Sequence, residues 1–437
     1  MTSPKRNIPR PLRPFRDHGP VLIGVLILVF AVYGRLCTGA IWNPVDYQIL
    51  HDAHKLAVNP WAMFQHIGAW FSQPLLQLFF LVEYRTFGLD FGMYIAVNLL
   101  LHALNAFVVY MLVNMLFHRV WLARLAAVLF ALGVGSFGRN LLSIAGQESL
   151  LLATLHLAVL YLFIRNDFRR EGQLWSPYFV LGIVLYGLSG LTKASTLSVL
   201  GCLVAYKAFF YQRRERRPVF SNDLLIFLFL GLLFQLGQSK YGFRTPTVVS
   251  DAEGPLVYTW LSVVNLFRYL NLMVFPLQES TLLREAGVVV QLLFQVRVVI
   301  NTLLTVYVIS FSFFGFVFGS RPLRFFIAWT YITLIPFTAQ APGVEWLNLT
   351  HLYLASLGFC VVLSAGAIGA VNLLEIHRWR RLVPLLVPLL FAVTAISLTY
   401  RLDARNRETA RTPALQEIRE ETLDRMRERP VRLVPTR

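Results

Sequence analysis

The run GMYIAVNLLLHALNAFVVYMLVNMLF, from Gly92 to Phe117, contains no Asp, Glu, Lys or Arg. It exceeds the roughly 20 apolar residues that a helix needs to cross the hydrocarbon core of a bilayer. Its apolar positions are continuous instead of alternating, so the backbone must satisfy its hydrogen bonds within the segment, as a helix does. Working outward, similar runs lie near 20–38, 122–137, 141–164, 177–193, 195–212, 222–239, 297–319, 323–340, 351–373 and 383–400.

Composition points the same way. The 437 residues are 56% hydrophobic and only 14% charged, with a mean hydropathy of +0.58, far from a soluble domain. The chain is therefore expected to be an all-α polytopic membrane protein with about 11 transmembrane helices. The net charge of +17 does not imply a nucleic-acid partner, because the basic residues punctuate the ends of the apolar runs and form no single soluble face. Cys37, Cys202 and Cys360 are odd in number and sit in or beside apolar stretches, so they read as small core residues, without a disulfide framework or metal site.

Charge also orients the chain. Residues 1–19 hold Lys5, Arg6, Arg10, Arg13 and Arg16 against a single acid, Asp17, which places this basic arm in the cytoplasm. The clusters at His118-Arg119 with Arg124, Arg165 with Arg169-Arg170, Arg213 to Arg217, Arg321 with Arg324, and Arg378 with Arg380-Arg381 fall at alternate connections and support that orientation. The expected organisation is a transmembrane domain over 20–400, with a first outside loop at 39–91 and a second large outside loop at 240–296. A polar tail follows over 401–437. Within it, Ala414 to Arg429 has a narrow apolar stripe of Leu415, Ile418, Leu423 and Met426, as in a short amphipathic docking or surface helix. This is the pattern of a multi-pass integral membrane protein with a cytoplasmic N-terminus, in a bacterial inner membrane or its equivalent.

The first outside loop carries Trp42, Asp46, His51, Asp52, His54, His66 and Gln73-Pro74. Two amphipathic pieces, Asp46 to Val58 and Pro60 to Phe71, are expected to lie flat at the interface and hold Asp46 near the lipid surface. A partly desolvated carboxylate can accept a proton from a substrate hydroxyl. Equally, Asp46 is a good helix N-cap, because an amphipathic run starts directly after it. His51, Asp52 and His54 read as a wet helix face more readily than as metal ligands, since no third histidine is close in sequence. Farther on, Leu256 to Phe275 is apolar enough for a twelfth span, but Arg268 and Asn271 favour an interfacial or re-entrant helix. Arg139, Glu148 and Lys193 fall near outside ends of runs, where they either snorkel or receive a lipid-linked anion.

Six segments, in order from about residue 40 to 370, together resemble a known family. They are SQPLLQLFFLVEYRTFGLDFGMYIAVNLLLHALNAFVVYMLVNMLF (72–117), LLSIAGQESLLLATLHLAVL (141–160), LSGLTKAS (188–195), LFRYLNLMVFPL (266–277), FIAWTYITLIPF (326–337) and HLYLASLGFC (351–360). The family is the GT-C superfamily of polyprenyl-phosphate-sugar-dependent glycosyltransferases, and the nearest branch is that of the O-mannosyltransferases that carry tetratricopeptide repeats. Asn98 and His102 match its Asn-Leu-Leu-His. Asp46 occupies the place of its catalytic Asp, shortly after the first helix.

The resemblance implies a glycosyltransferase of hexosyl, mannosyl or pentosyl type. Asp46 would deprotonate an acceptor hydroxyl that attacks a sugar on a polyprenyl phosphate with inversion. It also implies donor phosphate or sugar contacts from Lys193, Arg139, Glu148, Gln147, Arg244 and Arg268. Acceptor or pocket contacts would come from Gln73, His102, Asn98, His351 and Tyr353. The partners implied are the lipid bilayer, the lipid-linked sugar phosphate as donor, and a glycan, lipid or protein acceptor. No metal and no separate cofactor is expected.

The chain departs from the family pattern at several charged positions. The family's Arg before Pro74 is Gln73, its Gly-Arg-x-Asp is Gly146-Gln147-Glu148-Ser149, and an earlier acid is Arg139. Its Lys-Glu is Lys193-Ala194, its Glu-Arg-Tyr is Leu349-Thr350-His351, and the repeats are absent. Two other readings stay open: a multi-pass lipid or solute transporter, and a non-catalytic scaffold on the same fold.

Overall fold

The computed structural model describes residues 18–64, 73–170, 173–192, 197–211, 220–241, 255–274, 297–338, 348–373 and 379–427. These residues form helices and turns, with no strand among them. The helices are α1 Gly19–Tyr33, α2 Pro44–Val58, α3 Pro74–Phe87, α4 Phe91–Phe117, α5 Val120–Ala131, α6 Gln147–Arg170, α7 Pro177–Gly190 and α8 Leu197–Tyr211. They continue with α9 Asn222–Tyr241, α10 Pro255–Val274, α11 Arg297–Phe318, α12 Arg321–Thr338, α13 Leu352–Leu373, α14 Trp379–Thr409 and α15 Pro413–Arg427.

Helix α4 is the axis of the core. Ile95, Leu99, Ala103, Ala106, Val109 and Val113 recur at three- and four-residue spacing and are wholly buried, and α1, α5 and α6 pack around them. Small residues at the middle of this stripe let neighbouring backbones approach, which is how helices gain packing energy where lipid removes the hydrophobic drive. A second layer pairs α12 with α8 and α13, and α13 returns to α5.

The outward faces are apolar. Ile23 and Ile27 on α1, Leu303 and Phe318 on α11, and Leu385, Leu390 and Val393 on α14 are all exposed. Such continuous apolar surface matches a lipid surround and not water. Five described stretches are long and apolar enough to cross a membrane: Gly19–Thr38, Phe91–Phe117, Ile144–Phe168, Leu349–Gly369 and Leu385–Thr409. The expected runs do fall on helices. Several of these helices, among them Val120–Ala131 and Pro177–Gly190, are shorter than a full span.

Three local expectations are corrected. Residues 74–87, placed in a loop, form α3, because a run too short for a span still has a helical period and Pro74 opens it. The run expected at 122–137 ends as helix at Ala131, where Gly133 at φ 70° begins a series of turns. The last run does not end at 400; α14 continues to Thr409, with Arg407 bonded to Asp403 one turn earlier. Of the second amphipathic piece of the first loop, Pro60–Phe64 is a short 3-10 turn, and the remainder, with His66, lies outside the described residues.

The tail helix forms close to where expected and has a definite dock. Helix α15 packs on α2, burying Leu415 against Tyr47 and Ala410, with Ile41, Trp42 and Ile418 around them. The first loop and the C-terminal tail are therefore on the same face of the protein.

Candidate functional site

The site is built around one irregular segment, residues 139–148, which enters α6. Its backbone is tight: a Cβ on Gly146 would lie 2.0 Å from the carbonyl oxygen of Asn140, so only glycine fits there. Side chains from widely separated elements pin this segment. Trp42 Nε1 donates to the Leu142 carbonyl at 2.8 Å, and Asn98 Nδ2 of α4 donates to that of Ser143 at 2.9 Å. Asn140 Nδ2 donates to the Thr350 carbonyl ahead of α13 at 3.1 Å.

Asp46 is the central carboxylate. Asn43, not Asp46, caps α2, its side chain accepting from the Val45 N–H at 3.1 Å, so Asp46 is freed from the cap role. The α2 face bearing Asp46, Tyr47, Leu50, Ala53, His54 and Ala57 is buried. It packs against protein instead of lying open at a lipid surface, and Asp46 is 0% exposed. Its Oδ1 accepts from the Ala145 N–H at 2.9 Å. Its Oδ2 is buried and has no hydrogen-bond partner among the described residues.

Burial pushes the Asp46 carboxyl up to about 7, against the opposing pull of the Ala145 and Ile144 backbone. Arg139 opens the same segment, and its Nε is buried without a hydrogen-bond partner among the described residues. Lys193 and Arg244, two expected phosphate contacts, lie outside the described residues.

A second buried acid, which sequence reading passed over, stands on the same segment. Glu83 of α3 is 4% exposed; its Oε1 accepts from Gln147 Nε2 at 3.1 Å, and the same amide nitrogen reaches the Tyr94 carbonyl. Burial raises the Glu83 carboxyl to about 8, with Gln147 opposing. Beside it, Gln73 Nε2 donates to Glu148 Oε1 at 3.3 Å. Gln73 adopts φ 62°, rare for a residue with a side chain, where it turns into α3. Thus Asp46, Gln73 and Asn98 each bond to the segment that carries Gln147 and Glu148. An isolated acid inside the apolar run of α3 was the available signal for Glu83.

The remaining expected pocket residues divide. His102 and Tyr353 are buried and hold helices together: His102 Nε2 lies 3.1 Å from the Ala131 carbonyl and donates to it. That tautomer leaves Nδ1 to accept from the Tyr353 hydroxyl at 2.8 Å, and Tyr353 accepts from Asn105 Nδ2 at 3.1 Å. These bonds clamp α4, α5 and α13 together. His351 stacks on Phe337 with ring centroids 4.2 Å apart and lies 3.1 Å from the Tyr269 hydroxyl. Arg268 bonds Asn265 at 3.4 Å. This second group touches the first through the Asn140 to Thr350 bond.

His54 is not on a wet face. It is 5% exposed, with Nδ1 2.9 Å from the Tyr84 hydroxyl of α3. Asp52 is exposed beside Lys55, 3.6 Å away. No three His, Cys, Asp or Glu gather as metal ligands among the described residues.

No family model matches the chain, and no curated protein matches it. Among solved structures, the chain is similar to the oligosaccharyltransferase of Archaeoglobus fulgidus in its apo form, with 14% identity and a TM-score of 0.48 over 97% of this chain and 60% of that one. It is similar, too, to the same organism's enzyme in complex with an inhibitory peptide and a dolichol-phosphate, with 15% identity and a TM-score of 0.49 over 97% and 61%. The chain spans about three-fifths of the length of these proteins.

Proposed function

We propose that this protein is a membrane glycosyltransferase that moves a sugar from a polyprenyl-phosphate donor to an acceptor hydroxyl at the loop face, with Asp46 as the base. The observation carrying this reading is the asymmetry of the Asp46 carboxylate, with one oxygen fixed by the Ala145 N–H and the other unpartnered. A base needs that combination: a fixed orientation and a lone pair left for the proton. Its carboxyl at about 7 is matched to neutral pH, where a base both exists ionised and holds a proton well.

In the proposed step the acceptor oxygen forms a bond to the anomeric carbon while the bond from that carbon to the phosphate oxygen breaks. The acceptor proton passes to Asp46, and the electron pair leaves with the polyprenyl phosphate, inverting the anomeric centre. Because the carboxylate is 0% exposed, the acceptor reaches it only when α2 or the segment that carries Ala145 moves. The acceptor is a glycan, lipid or protein hydroxyl, and the sugar is hexosyl, mannosyl or pentosyl. In this reading the N-terminal arm is cytoplasmic and the loop face lies across the membrane.

The test is sugar transfer from a polyprenyl-phosphate donor by purified full-length protein. Asp46→Asn keeps the shape and the Ala145 bond but removes the base, and transfer falls at least about a hundredfold. Unchanged transfer in a folded variant removes Asp46 from the mechanism. The complete covering of Asp46 favours a second reading, a non-catalytic scaffold, and in that case the parent protein shows no transfer while still binding the donor lipid.

A further inference from the structure

Glu83 and Gln147 meet in a way that leaves two oxygens without donors. Both residues are buried, at 4% and 0% exposure. The two N–H donors of Gln147 Nε2 are taken, one by Glu83 Oε1 and one by the Tyr94 carbonyl, each at 3.1 Å. Left over are Glu83 Oε2 and Gln147 Oε1, both buried and without a hydrogen-bond partner among the described residues. Each belongs to the same carboxyl or amide as the atoms that already meet. Both are acceptors, so neither satisfies the other while the carboxyl is ionised.

A cation is the usual compensation for a buried carboxylate, and none pairs with Glu83 among the described residues. The charged and titratable groups on the surrounding elements are engaged elsewhere. On α2, Asp46 accepts from the Ala145 N–H, His54 lies 2.9 Å from the Tyr84 hydroxyl, and His51 and Lys55 lie beside Asp52. On α3, Arg85 donates to the Ala57 carbonyl at 3.2 Å. On α4, Asp90 accepts from the Gly92 N–H at 3.0 Å, and the Tyr94 hydroxyl donates to the Gly88 carbonyl at 2.8 Å. On α6, Glu148 accepts from the Gln73 amide. The remaining donor is a proton taken from solvent. Placed on Oε2, it lets Glu83 donate to Gln147 Oε1 while accepting from Nε2, and both orphaned oxygens are answered at once. Burial of this carboxyl acts in the same direction.

We propose that Glu83 is a positioning residue, held as a neutral carboxylic acid and paired reciprocally with Gln147 at the first position of α6. The pair fixes the Gln147 amide and ties α3 to the head of α6. Loss of the proton sets two acceptors against each other and frees the amide to turn. The pair stands apart from the chemistry at Asp46, whereas its effect on donor binding rests on the proposed transfer reaction.

The test is infrared spectroscopy of full-length protein in detergent. At pH 7 the parent shows the carbonyl stretch of a hydrogen-bonded, protonated carboxyl, which persists in Asp46→Asn, vanishes in Glu83→Gln and fades as the pH is raised to 9.5. In Gln147→Met the same band moves to the higher frequency of an acid without a partner. With polyprenyl-phosphate mannose as donor, Glu83→Met raises KM roughly tenfold and changes kcat less. Glu83→Gln, whose amide both donates and accepts, recovers most of that loss. Absence of the band at pH 7, an unmoved band in Gln147→Met, or a KM in Glu83→Gln no better than in Glu83→Met overturns the pair. If Glu83→Met does not fold, the infrared comparison alone decides. A parent protein that transfers no sugar yet shows the band and its shift refutes the reaction and leaves the pair standing.

Discussion

Asp46 and Ala145 meet at 2.9 Å, the carboxylate of one accepting the backbone N–H of the other across 99 positions of sequence. This bond ties the first loop helix to the segment entering α6 and, in the proposed mechanism, leaves Oδ2 as the oxygen that takes the proton. Because burial holds the group near 7, sugar transfer should rise with pH through a limb centred near 7 as Asp46 ionises. A rate profile from pH 5 to 9 checks this; a flat profile across that range excludes an Asp46 base.

The same shifts make stability depend on pH, and the direction follows from proton uptake. Asp46 and Glu83 have folded values raised to about 7 and about 8, above the ordinary carboxyl value of about 4 in the unfolded chain. Between those limits the folded state holds more protons than the unfolded one, so stability falls as pH rises from about 4 to about 8 and changes no further above that. Glu83→Gln, measured by thermal unfolding at pH 5 and pH 8.5, should lose less stability across the interval than the parent. An identical loss in both proteins removes Glu83 as a source of it.

Gly146→Ala should be costly. The new methyl would sit 2.0 Å from the Asn140 carbonyl oxygen, so the backbone of the pinned segment must shift, at a cost of about 3 kcal/mol. Gly24→Ala, with nothing within 4 Å of the added methyl, should be neutral or slightly stabilising in its helix. Denaturation midpoints that do not separate the two variants contradict the close approach.

Away from the site, Lys207 of α8 joins Asp223 of α9 at 2.9 Å and Asp167 of α6 at 3.5 Å, all three nearly buried. Lys207→Met leaves two acids without their cation, an expected loss of about 3–5 kcal/mol. Adding Asp223→Asn should recover part of it. A double variant no more stable than the single one argues against a shared charge network.

Much of the architecture can be read from hydropathy, because apolar runs such as Gly92 to Phe117 leave the backbone no choice but helix. Asp46 stands out by its place after α1, and Gln73, Asn98, Gln147 and Glu148 by motif resemblance; Asp46, Gln73 and Asn98 bond to the segment that carries the other two. What hydropathy misses are features whose cause lies far away in sequence. His54 reads as solvated until Tyr84, 30 residues on, covers it. Asp403 and Arg405 read as tail because charge ends an apolar window, whereas Arg35 and Arg407 hold Asp403 and the helix runs on. His102 and Tyr353 carry a motif resemblance, but the bond that joins them across 251 positions has no local signature in the sequence.

The docking of α15 on α2 imposes an order on biogenesis. When residues 44–58 leave the ribosome, the segment that seals Tyr47 has not been translated, so the loop waits, half-assembled, through insertion of the intervening helices. A nascent chain halted before Pro413 would leave Tyr47 without its roof. Maturation of this face thus waits on a segment made long after the loop it covers.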